Sequence, residues 1–178
     1  MNLNFPNSSK IACICEGGTE TEVMRILLDE NRLKFERSQL IEEDLIRRVS
    51  VREFEKRYLG FEYEDKITIL RILDSRRENF KLKELYKGKV ESIINVITSP
   101  EIEILVIIKE NKLTDFQKNK NMKPSVYCKD ILQLKRVKNP SFIHDYFSDA
   151  NDLINCIKLY QKQIHCFKNE VSLFDLIR

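Results

Sequence analysis

The sequence predicts an α/β protein: a short, mostly parallel sheet of about four strands flanked by helices, with an all-helical C-terminal third. Three observations lead there. Short β-branched apolar runs alternate with helix-patterned segments through the N-terminal half, and parallel neighbours need such crossover connections. Beyond residue 110 only helical patterns recur. The chain has 178 residues, 42% hydrophobic and 33% charged, with 4 Gly and 4 Pro, which suits one core and leaves little for long linkers. A single domain over 1–178 is expected, with an α/β core over 10–110 and a helical extension over 111–178.

Ile11-Ala-Cys-Ile-Cys15 is apolar and meets Glu16-Gly17-Gly18 at once, which reads as a buried strand ending in a tight turn. Thr19 and Glu22 have capping-box spacing, and Val23, Ile26, Leu27 and Leu33 fall close to helical spacing, so a helix is expected over 20–34. Gln39 to Asp44 is helix-prone, whereas Leu45 to Val49 reads as a short second strand. Ser50 and Glu53 form another capping box ahead of a helix whose apolar face carries Phe54 and Tyr58 and which ends at Gly60. The strongest strand is Lys66 to Leu73, which stops at Asp74 before a polar loop, Ser75 to Asn79. Val90 to Thr98 is a further strand. Ser99-Pro100-Glu101 then looks like an N-cap, a proline at the first position and an acidic first turn, opening a helix that carries Ile102 to Ile108. Helices follow over 114–120, 125–134, 141–147 and 149–164, with a terminal turn near Leu173. The stripe Leu153, Ile154, Ile157, Tyr160 and Ile164 reads as core packing, with a dimer seam as the alternative.

Five cysteines, Cys13, Cys15, Cys128, Cys156 and Cys166, are an odd number without CxxC spacing, arguing against a disulfide framework and a zinc ribbon. Reduced thiols, mostly small core hydrophobes, are expected. A metal at His165 and Cys166 near Cys156 is the weaker alternative. No apolar run approaches the roughly 18 residues of a membrane span, and Met1 to Lys10 lacks a signal-peptide core, so no membrane contact and a cytoplasmic location are expected. The net charge of +3 is modest, but cations outnumber acids from Lys109 to Lys138. There Lys112, Lys118, Lys120, Lys123, Lys129, Lys135, Arg136 and Lys138 face Glu110, Asp115 and Asp130. A solvated face is the ordinary meaning of such a run; a phosphate-backbone surface using Lys123 and Lys129 is the functional one. His144 reads as a surface or packing residue.

Ligands of parallel α/β sheets bind beyond the carboxyl ends of the strands. Glu16, Asp74 and the segment Ser99 to Glu103 occupy such ends and are expected to share one cleft. Neighbouring carboxylates repel and lose hydration, so a divalent cation or a basic side chain is needed to balance them. Magnesium or manganese, with oxygen ligands and a bridge to substrate phosphate, is the natural candidate, held by Glu16, Asp74 and Glu103. Gly17, Gly18 and Thr19 would bring backbone N–H groups close to a phosphate. Glu20 and Glu22 read chiefly as helix-dipole partners.

Cys15-Glu16-Gly17-Gly18-Thr19-Glu20-Thr21-Glu22 after an apolar strand resembles the EGxTE segment that opens Toprim-type domains of the RloB-like family. Leu73-Asp74-Ser75-Arg76-Arg77-Glu78-Asn79-Phe80 resembles their second motif, an Asp-x-Asp pair closing a strand. Ser99-Pro100-Glu101-Ile102-Glu103-Ile104-Leu105 is similar to their third, an Asn-Pro-x-Phe-Glu-like turn entering an apolar helix. The similarity spans residues 10 to 125. It implies a metal-dependent nucleic-acid site, with Glu16 in acid–base or metal work and Asp74 holding Mg²⁺, and a role in bacterial or phage defence. The second Asp of the pair is Arg76 here, a charge reversal that Glu78, Glu101 or Glu103 would have to offset. Alternatively Arg76 and Arg77 pair with Glu16 or with a bound phosphate. The leading expectation is a nuclease whose catalytic residues are Glu16, Asp74, Arg76 and Glu103. The alternatives are a non-catalytic module binding a nucleotide or nucleic acid, and a protein-interaction domain. A homodimer and a partner protein of a defence module are both open.

Overall fold

Five strands form an all-parallel sheet in the order β2-β1-β3-β4-β5. The computed structural model describes residues 3–76, 79–119, 121–164, 166–168 and 170–178; Arg77, Glu78, Lys120 and His165, all considered above, lie outside them. The long strands are β1 (Lys10–Cys15), β3 (Ile67–Leu73) and β4 (Val90–Ile97), while β2 (Ile46–Arg47) meets β1 only at Ile14 and Cys15. β3 is buried at every position, as expected of a mostly β-branched and apolar strand covered on both faces.

Helix α1 (Gly18–Asp29) leads from β1 to β2, and its Val23, Met24 and Leu27 share a core with Ile11, Cys13, Cys15, Leu70 and Ile72. Helix α2 (Val51–Arg57) leads from β2 to β3 over the other face, where Phe54 packs with Ala12, Ile14, Ile67 and Ile69. The chain therefore leaves β1 toward β2 on one side and β3 toward β4 on the other, so the outgoing connections diverge between β1 and β3. In open α/β sheets the carboxyl end of that gap is where ligands bind.

A short α3 (Glu84–Lys87) precedes β4, with Leu82 buried on the second face. Helices α4 (Ile104–Lys109), α5 (Leu113–Lys118), α6 (Pro124–Asp130), α7 (Pro140–Tyr146) and α8 (Ala150–Gln161) then follow. α7 packs on α1 and α8 on α4, so Leu153, Ile157 and Tyr160 are core residues, as the stripe predicts. Cys13, Cys15, Cys128 and Cys156 are buried free thiols and Cys166 is half-buried.

The C-terminal third is not all helix. β5 (Glu170–Ser172) lies beside Asn95 to Ile97 of β4. Three residues, Glu-Val-Ser, carry no periodic signal; the adjacent edge of β4 supplies their ladder partners. A 3-10 turn over Leu173–Leu176 follows, and the Lys34 N–H donates to Leu176 O at 2.9 Å while the Arg178 N–H donates to Arg32 O at 2.8 Å. The sheet therefore has five strands rather than about four, and residues after 110 share its core.

Three boundaries also differ from expectation. α1 stops at Asp29 because Asn31 turns left-handed (φ 52°), with the Arg32 N–H closing on Leu27 O at 2.8 Å, a helix stop that asparagine favours. Its N-cap is Gly17 without a side-chain cap, since the Thr19 hydroxyl donates to Glu103 rather than to its own helix. Ser50 does cap α2, accepting from the Glu53 N–H at 3.3 Å. α4 begins only at Ile104, with Glu103 at the N-cap and a cis Ser99–Pro100 peptide upstream; the Glu101 and Glu103 side chains bond to neighbouring elements, not to this helix start. Among the described residues no helix is long and apolar enough to cross a membrane.

Candidate functional site

Glu16 directly follows β1 and Asp74 directly follows β3, and the parallel register pairs Cys15 with Ile72. The Glu16 N–H donates to Ile72 O at 3.1 Å, extending the ladder past the strand. Glu16 Oε2 in turn accepts the backbone N–H of Asp74 at 3.1 Å. The two strand-end acids thus meet at the gap where the connections diverge, as the strand-end rule predicts.

Glu20, one turn into α1, joins them. Burial lifts its pKa to about 7, and the charges of Glu103, Asp74 and Glu16 add to the rise. Its residue is only 6% exposed. Glu103 is 4% exposed, and its carboxylate accepts from Thr19 Oγ1 at 3.3 Å; burial pushes its pKa up, with Glu101 adding and Lys138 and Thr19 opposing. The buried Glu20 carboxylate therefore stands between the half-buried strand-end acids Glu16 and Asp74 and the buried Glu103, and their charges penalise its ionised form.

Lys138 supplies the counter-charge. Partial burial works against its ammonium, yet Glu103, Glu101 and Glu20 together raise its pKa. Its Nζ lies 3.2 Å from Glu101 Oε1, while Glu101 Oε2 accepts the Ser125 N–H at 2.9 Å. Burial would raise the Glu101 pKa, but the bonds from Ser125 and Lys138 outweigh it and hold it below the ordinary range.

The glycines make room for neighbours. Gly17 is extended (φ -131°), and a Cβ on it would stand 2.5 Å from Glu20 Oε2; a Cβ on Gly18 would stand 3.0 Å from Pro140 Cγ of α7. So Gly17 lets the Glu20 carboxylate fold back over the turn, and Gly18 lets α7 approach α1. A depression of about 270 Å³ opens on the other side, lined by Glu16, Gly17, Gly18 and Thr21 together with Arg47 and Arg48 at the end of β2.

The remaining candidates are dispersed. Arg76 reaches β5, where its Nε lies 2.8 and 3.0 Å from the two carboxylate oxygens of Glu170 and its Nη2 lies 3.0 Å from Oε2, with its guanidinium 5.0 Å from the Phe167 ring centre. The bond to Glu170 leads the rise in its pKa. Lys123 caps α6 beside a groove with Met122 and Val126, and Lys129 is exposed later on α6. Glu22 faces α7, with Oε1 2.9 Å from His144 Nδ1 and Oε2 3.0 Å from Arg25 Nη1, so His144 is an exposed surface residue that hydrogen-bonds α1.

Glu20 and Lys138 are the members that sequence reasoning underweighted. An acid in the first turn and a lysine in a basic run both have ordinary explanations; Glu20 was nevertheless signalled by its place directly above a glycine. The donor set is all oxygen and suits a hard cation such as Mg²⁺. Among the described residues no three His, Cys, Asp or Glu side chains gather into a metal cage. Comparison with protein-family models, curated proteins and solved structures yields no match, and what the chain shows is an α/β fold with a five-stranded parallel sheet.

Proposed function

We propose that this site processes phosphodiesters of nucleic acid with the help of Mg²⁺ or Mn²⁺, as a Toprim-type, RloB-like nuclease of a bacterial or phage defence system. The observation that supports the reading is the meeting of Glu16 and Asp74 where the crossover connections diverge, with Glu20 and Glu103 close behind. A divalent ion at Glu16 and Asp74 would offset their charge and polarise a phosphodiester oxygen. Thr19 fixes Glu103 through its hydroxyl, and Lys138 offsets the charge of the inner acids. Arg47 and Arg48 border the Glu16 depression and give the polyanion a positively charged approach. Arg76 contributes by tying the loop after β3 to β5, a positioning role.

The test is incubation of the pure protein with single- and double-stranded DNA and RNA in Mn²⁺, alongside Glu16→Gln and Asp74→Asn. Cleavage by the wild type that both substitutions abolish is the expected result. No cleavage of any substrate, or cleavage that survives both changes, ends the reading. A second reading, a metal-free module that binds nucleotides or nucleic acid, is favoured by the lack of a three-ligand cage among the described residues. Ligand binding indifferent to chelator, without cleavage, would establish it instead.

A further inference from the structure

Both faces of an all-parallel sheet are normally covered, and here one strand is not. β3 is buried at all seven positions, whereas Val90 to Asn95 of β4 are half-buried or exposed. The course of the chain is the cause. Helices α4 to α8 contribute to the core on the α1 side, and no described residue beyond Ile93 belongs to the apolar core on the α2 side. A hollow of about 310 Å³ remains there, with Phe80, Leu82, Val90 and Ile93 as its apolar lining. Val90 and Ile93 are three apart and would point to opposite faces of a regular strand, but a bulge intervenes. Ile67 pairs with Val90 and Thr68 with Ser92, which leaves Glu91 as the extra residue. Two large apolar residues stand nearby in water. Leu85 is 69% exposed on α3, whose Lys87 lines the hollow, and Phe61, whose carbonyl accepts from Lys89 Nζ at 3.0 Å just before β4, is 63% exposed.

The rim of the hollow carries charges of both signs. Lys87 is held by Glu84 at 2.6 Å. Lys81 and Glu91 are exposed and line the same hollow, yet neither lies in an ion pair among the described residues. We infer that a second copy of the chain covers this face, in a two-fold dimer where Lys81 of each protomer meets the partner's Glu91 and the two apolar linings close on each other. A two-fold interface sets one patch against itself, so a residue that meets a second must also be met by it. One unpaired cation and one unpaired anion on the same apolar patch satisfy that condition. A strongly acidic or strongly basic partner would instead set one of them against a like charge. The apolar stripe of α8 is already taken up by the core, so it does not compete for this role. The hollow lies toward the amino end of β4, away from the rim that holds Glu16 and Asp74. Dimerisation therefore leaves that rim open and rests on no part of the nuclease reading.

Sedimentation velocity over protein concentrations from sub-micromolar to a few hundred micromolar reads the monomer–dimer equilibrium. The expected result is a wild type that dimerises with rising concentration. Lys81→Glu sets like charges together at two symmetry-related places and should weaken the dimer by about 10-fold; Glu91→Lys should do the same. Combining Lys81→Glu with Glu91→Lys restores opposite pairing with the signs exchanged, and should return the dissociation constant to within about threefold of the wild type. Leu85→Glu, at a largely exposed position, should weaken the dimer by about 10-fold or more, since an apolar contact is replaced by a charge. All four substituted proteins alter exposed positions and should fold, with an unchanged circular dichroism spectrum as the control. A wild type that stays monomeric throughout overturns the dimer. A dimer that both single charge changes leave intact has its seam elsewhere and overturns this face. Weakening in the single variants without recovery in the double one refutes the pairing of Lys81 with the partner's Glu91.

Discussion

Replacing Glu20 by glutamine should make the protein more stable above neutral pH, and the size of the gain follows from the site. Burial, with Glu103, Asp74 and Glu16 adding, moves the Glu20 carboxyl from an ordinary 4.5 to about 7 in the folded chain. The folded state therefore holds this proton more tightly than the unfolded state. Stability linked to the group is fully present below about pH 4.5, falls as pH rises through 7 and is level above that. A shift of that size corresponds to about 3 kcal/mol, taken as an upper bound because Lys138 also faces these acids. Glutamine keeps the shape and cannot ionise, so Glu20→Gln should match the wild type near pH 4.5 and exceed it by about 2 to 3 kcal/mol at pH 8. Urea denaturation of both proteins from pH 4.5 to 8, in chelator, measures the difference directly, and subtracting the curves isolates Glu20 from other titrations. Parallel curves across this window, or a variant less stable at pH 8, would refute the assignment of Glu20 to a shared acidic pocket.

Three further outcomes follow from the same geometry. Gly17→Ala should leave the fold intact, since the obstructing atom is the end of the flexible Glu20 side chain, and should flatten the pH dependence just described; Gly18→Ala meets Pro140 instead and should cost about 1 to 2 kcal/mol in the same denaturation assay. Arg76→Ala removes the forked contact with Glu170 and should cost about 1 to 3 kcal/mol, with hydrogen exchange speeding up at Val171 and Ser172 before the rest of the sheet. Lys138→Ala should destabilise by about 1 kcal/mol at neutral pH. The depressed pKa of Glu101 contributes stability above the ordinary carboxylate range that is lost as pH falls, so the difference between Lys138→Ala and the wild type should vanish in acid.

Much of the architecture is written in local pattern. The run Ile67 to Leu73 is β-branched and apolar apart from Thr68 and Arg71, so a doubly covered strand was legible, and the helix start at Ser50 was legible because a serine hydroxyl can satisfy a nearby N–H by itself. The end of α1 was less so, since Leu33 continues the apolar spacing while Asn31, by turning left-handed, interrupts it. β5 was not legible at all. Its three residues become a strand only because β4 presents an edge to them, and no window of the sequence contains that edge.

The candidate site divides in the same way. By itself the sequence determined that acids close β1 and β3, and alternation of strands and helices then brings strand ends of a parallel sheet to one rim, so the convergence of Glu16 and Asp74 needed only chain topology. Which other charges join them was decided by tertiary packing. Glu20 folds inward because Gly17 leaves it space, Glu103 is bonded by Thr19 from 84 positions away, and Arg76 pairs with Glu170 because β5 brings that carboxylate within 2.8 Å. Burial and charge pairing depend on distances between segments remote in sequence, and those distances exist only once the chain has folded.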